Sequence, residues 1–178
     1  MTYEILVQMK KTTAFFFILT LLTYYCHAQK KLNDNPVFFE LAQRNIHYPI
    51  IAIKLSLYGR IYTKFAVNKI GKISNIEVIY PLISPEYEKK IGFIQEIKRG
   101  LSKLPILGLG YEGEYIVPVA FIFNNHNDHP ELAYPTNRLP NSFDTEDMIF
   151  LDELKIHGRS DIYPTIISAF FSVQIDEQ

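Results

Sequence analysis

Three stretches of this sequence predict an α+β fold in which a small antiparallel sheet, a β-hairpin plus a return strand, carries one helix on one face. Residues 60–67 alternate, with Ile61, Thr63, Phe65 and Val67 on one side and Arg60, Tyr62, Lys64 and Ala66 on the other. Asn68-Lys69-Ile70-Gly71 then offers a short loop whose glycine supplies positive φ, and a second β-rich run follows over 72–80. Next, Ser84-Pro85-Glu86 opens a helix in the usual way, with a hydroxyl cap, a proline at the first position and early negative charge. Last, residues 115–123 read as a return strand.

The totals bound what these elements can build. A chain of 178 residues is one domain with room for little more than a tail. Its formal charge of −1 gives no electrostatic case for nucleic acid. The single cysteine, Cys26, excludes an internal disulfide framework and a thiolate metal cluster.

Taken in order, Met9-Lys10-Lys11 and the apolar run over 14–22 form the charged and hydrophobic parts of a secretory signal. Cys26-His27-Ala28 then places small residues where a signal peptidase reads, so residues 1–28 are expected to be removed. Residues 1–8 precede the charged start, which fits translation from Met9. The expected location is periplasmic or secreted, with an uncleaved membrane anchor as the alternative. The apolar run is short for a bilayer core of ~30 Å.

Residues 29–45 read as a lead-in: a flexible polar stretch up to Asn35, then two helical turns from Pro36 carrying Val37, Phe38, Leu41 and Ala42. Pro49 holds Tyr48 extended, and His47 is most simply a packed residue beside it. Residues 50–57 suit a helical turn or a short strand equally well. In the helix after Ser84, Tyr87, Ile91, Ile94, Ile97, Leu101 and Leu104 make one continuous apolar stripe, which Gly92 and Gly100 weaken. Pro105 ends it, and residues 107–110 form a loop. Pro118 interrupts the return strand; a proline has no N–H for a ladder, so this strand is expected at a sheet edge.

At this point the order of motifs resembles the C-terminal domain of the TonB family. Tyr48-Pro49, the run from Gly59 to Val78, Leu104-Pro105 and the closing Val117-Pro118-Val119-Ala120-Phe121-Ile122-Phe123 carry the likeness, which covers residues 46–123. The family's Trp and second Pro after the helix, and its proline-rich spacer, are missing here. The resemblance implies a strand order of second hairpin strand, first hairpin strand, return strand. Residues 114–123 would then be an exposed edge that accepts an extended peptide by strand addition, with Tyr115, Val117, Val119 and Phe121 as the peptide-binding face. The implied partner is a protein, a segment of an outer-membrane transporter or another envelope protein. The alternative is a structural or interaction domain without a transporter role, dimerising through the same edge.

No enzyme, cofactor, metal or small-molecule substrate is expected. His126, Asp128 and His129 crowd one loop but lack a third anchor. Asp144, Glu146, Asp147, Asp152 and Glu153 read as the solvated face of a capped helix over 142–157, making 124–178 a helical C-terminal extension. His157 and Ser160 have no nucleophile context. Residues 162–175 are too apolar for solvent, and are expected to fold back on the body, where they could cover the proposed edge, or to pair with a partner.

Overall fold

The computed structural model describes residues 31–125 and 131–160. The signal segment, the loop holding His126, Asp128 and His129, and the apolar tail over 162–175 lie outside the described residues. The fold is α+β, with helices on one face of a sheet of six strands.

Local chemistry explains the first helices. Helix α1 (Pro36–Asn45) starts where Asn35 Oδ1 accepts from the Phe38 amide at 3.1 Å, with Pro36 at the first position. It buries Phe38 and Ala42, and the Phe38 ring stacks on Phe65 of the sheet at 5.9 Å. The residues before it are not a loose lead-in. Leu32 is fully buried, and Asn33 receives the Asp152 amide at 2.9 Å, which ties the start of the domain to its far end. The undecided stretch after Pro49 is a short helix, α2 (Ile50–Lys54).

Strands β1 (Gly59–Val67) and β2 (Ile73–Tyr80) form the expected hairpin, with Gly71 at φ 85° in its loop. The single helix expected after Ser84 is two, α3 (Pro85–Ile91) and α4 (Phe93–Ser102). Gly92 takes φ 87°, a left-handed conformation that glycine adopts without steric cost, and the axis breaks there. Glu88 bridges the break, because its Oε1 accepts from the Gln95 amide at 2.9 Å and so satisfies an open donor at the start of α4. Phe93, Ile97 and Leu101 then lie fully within the core.

The return strand β3 (Gly113–Asn125) pairs antiparallel with β1, from Gly59 against Phe121 to Val67 against Gly113. Its other side is occupied as well. The 142–157 stretch is no helix; it supplies β5 (Ile149–Phe150) and the start of β6 (Leu154–Ser160), both parallel to β3. A short β4 (Glu131–Ala133) pairs with the end of β3. Period-two alternation wins over the helical reading here: Leu154, Ile156 and Gly158 are buried while Lys155, His157 and Arg159 are exposed.

The resulting core centres on Tyr48, Phe93 and Phe121, with ring centroids 4.4 to 5.8 Å apart. Tyr48 donates its hydroxyl to the Leu57 carbonyl at 2.5 Å. Burial, helped by the neighbouring Tyr58, pushes its phenol pKa far above the ordinary range. A Cβ on Gly158 would come within 2.5 Å of the Tyr48 ring.

Gly158→Ala is therefore expected to cost ~1–3 kcal/mol through overpacking, read as a lower midpoint in denaturant unfolding. The raised phenol pKa binds its proton more tightly in the folded state, so that stability is complete below the unfolded tyrosine pKa of ~10 and is lost as pH rises beyond it. Thermal unfolding of the wild type should hold steady from neutral pH to that point and then fall, and Tyr48→Phe should flatten the fall.

Candidate functional site

The four residues expected to face a peptide are all interior. Tyr115, Val117, Val119 and Phe121 have no exposed surface and pack under the helices. Tyr115 donates its hydroxyl to the Tyr111 carbonyl at 2.8 Å, and burial raises its pKa. On the opposite face Ile116, Ala120 and Ile122 are buried too. The expectation that β3 is an open edge is thus corrected: β3 is a central strand, enclosed by β1 on one side and by β5 and β6 on the other.

Pro118 is accommodated by a break in the covering strands. Ile116 pairs with Phe150 and Val119 with Leu154, so three steps along β3 face four along its neighbour. Residues 151–153 carry no strand pairing, and the missing N–H of Pro118 falls opposite them. The Leu151 amide still donates to the Ile116 carbonyl at 2.8 Å, so the segment stays attached.

Among the described residues, the longest strands with one unpaired side are β2 and β6, and they differ. The outer side of β2 carries register shifts on both halves of its pairing with β1, and Asn75 within it takes φ 53°. Bulged, twisted edges of this kind resist further pairing. The outer side of β6 belongs to a strand whose register with β3 is unbroken from Leu154 to Ser160. Lys155, His157 and Arg159 project from one of its faces. Helix α2, packed against β6, leaves Ile50 and Ile51 in its first turn and Leu55 just past its last residue substantially exposed, at 70%, 44% and 40%.

The second face of the sheet, away from the helices, is covered in part by residues 134–148. Asn137 fastens this segment. Its Nδ2 donates to the Arg60 carbonyl at 2.7 Å, its Oδ1 accepts from the Arg60 amide at 3.0 Å, and its carbonyl accepts from Arg60 Nη1 at 2.5 Å. β2 has ended by this point, since its last partner is Tyr62 against Tyr80, so the Asn137 amide group takes the place of a neighbouring strand. Arg60 Nε also pairs with Glu153, which in turn accepts from the Tyr134 hydroxyl. Burial opposes the charge on Arg60, yet bonding to Glu153 holds its pKa above the ordinary value; Tyr134's own hydrogen bond to Glu153, with burial second, raises the Tyr134 phenol, against the neighbouring Arg60, which lowers it.

Glu153 is therefore a structural ion-pair partner, whereas Asp144, Glu146, Asp147 and Asp152 remain exposed. His47 is exposed rather than packed, with Nδ1 2.7 Å from Arg99 Nη2. Among the described residues no three His, Cys, Asp or Glu side chains are grouped to hold a metal, and no helix is long and apolar enough to cross a membrane. Between the second face and the 134–148 segment lies an open cleft of about 600 Å³, lined by Arg60, Tyr62, Pro118, Arg138, Phe143 and Phe150, among others.

No family model, curated protein or solved structure matches the chain.

Asn137→Ala removes two side-chain hydrogen bonds to the Arg60 backbone and leaves a donor and an acceptor of β1 exposed to rearrangement. A loss of ~1–3 kcal/mol is expected, with faster amide exchange at Arg60, which native-state hydrogen exchange would detect.

Proposed function

We propose that this is an exported, non-enzymatic binding module that takes an extended segment of an envelope protein by strand addition, along β6 rather than along β3. The observation that carries this reading is the outer row of β6, a strand of unbroken register with β3 and with no described neighbour strand beyond it. Main-chain hydrogen bonds along such a row supply affinity, and the side chains on either face supply selectivity. The two faces ask for different partners. Lys155, His157 and Arg159 favour acidic residues at alternate positions, while exposed Ile50, Ile51 and Leu55 favour apolar residues between them.

The signal-like N-terminus supports an extracytoplasmic setting. The resemblance of residues 46–123 to the TonB C-terminal domain supports an outer-membrane transporter as the class of partner. A second reading draws on the closure of β3: a domain of this kind, its usual recognition edge filled by its own C-terminal strands, serves as a structural or interaction domain with no transporter role. Under that reading β6 is available for dimerisation.

Photo-cross-linking with the full mature chain separates these. With the reactive group placed in turn at Lys155 and at Glu77 on β2, an outer-membrane extract should give a transporter adduct from the β6 position only. Adding H157E to the variant that carries the reactive group at position 155 should reduce that adduct about tenfold, equivalent to ~1.4 kcal/mol. Adducts between two copies of the chain would favour the second reading, and equal labelling from β2 would remove β6 as the site.

A further inference from the structure

We propose that the cleft on the second face of the sheet binds a small planar aromatic carboxylate, its ring between Tyr62, Phe143 and Phe150 and its carboxylate on Arg138. This site is independent of the strand-docking edge and departs from the expectation, drawn from sequence, that no small molecule is bound.

The cleft has the volume of a ligand site, about 600 Å³, and walls of two kinds. Its floor is rigid, since Tyr62 and Pro118 belong to the paired strands β1 and β3 and face each other across the ladder. Its outer wall comes from Pro140, Phe143 and Phe150. The Tyr80 ring connects the two, with centroids 6.2 Å from both Tyr62 and Phe143. Aromatic and proline surfaces arranged this way gain most from a flat ring that contacts both sides at once.

Charge then selects the anion. No carboxylate lines the cleft, and two arginines do. Arg60 is already matched, because Glu153 takes Nε and the Asn137 carbonyl takes Nη1. Arg138 is exposed, and among the described residues it has no hydrogen-bond or ion-pair partner. Its backbone position is nonetheless fixed, since it follows Asn137, which is bonded to Arg60 through three contacts. One unmatched guanidinium beside an apolar slot suits a monoanion, which a carboxylate satisfies through two parallel hydrogen bonds. A doubly charged phosphate would bring more charge than this single cation offsets.

The test is an NMR titration of the full mature chain with 2-naphthoate, using 2-naphthalenemethanol as the uncharged counterpart. The expected result is saturable shifts for naphthoate at the amides of Tyr62, Phe143 and Phe150, with the alcohol binding at least tenfold more weakly. Arg138→Ala, an exposed change that leaves the core intact, should abolish that preference, and Phe143→Ala should weaken both probes. Equal binding of the two probes by the wild type, shifts that map elsewhere, or no saturation by about 10 mM would overturn the proposal. So would an Arg138→Ala variant that keeps the naphthoate preference.

Discussion

The structure depends on satisfying both backbone rows of one strand. β3 is apolar along nearly its whole length and buried on both faces, so any amide or carbonyl on it that lacked a partner would be shut away from water as well. An unpaired buried backbone group costs about as much as a lost hydrogen bond, commonly ~1–3 kcal/mol. β1 meets the requirement on one side, and β5, Leu151 and β6 meet it on the other. The rest of the architecture follows from that enclosure: helices α1 and α4 pack over the core face, and the 134–148 segment lies over the second.

Much of this was legible in the sequence where the signal was local. The alternation from Arg60 to Val67, the glycine in the hairpin loop, Asn35-Pro36 and Ser84-Pro85 each specify a short-range geometry, and each produces it. The break at Gly92 was partly readable as a weak point in a helix; that it divides the helix in two depends on Glu88 reaching across it to cap α4.

The less legible parts rest on long-range pairing. Pro118 argued for an edge strand, and it does lie opposite an unpaired stretch, but that stretch is a short gap between two covering strands. A different signal was present in the same residues. Tyr115-Ile116-Val117-Pro118-Val119-Ala120-Phe121-Ile122-Phe123 is apolar without alternation, which is the pattern of a strand buried on both faces rather than of one with a wet side. The acidic 142–153 region misled by composition: carboxylates before an apolar stretch resemble a helix start, whereas the period of two begins only at Leu154. The cleft was beyond sequence reasoning, because Arg60, Pro118 and Arg138 meet only through the attachment of Asn137 to β1.

The parallel pairing of β6 with β3 has a consequence for synthesis. A chain made from its N-terminus completes β1, β2, α4 and β3 while the 35 residues from the end of β3 at Asn125 to the end of β6 at Ser160 are still to come. For that interval a long apolar strand presents one open row of amides and carbonyls, a state prone to association with other chains. The last of the described strands to be translated is thus the one that covers the apolar row of β3, so premature termination before Leu154 would leave the second half of that row open.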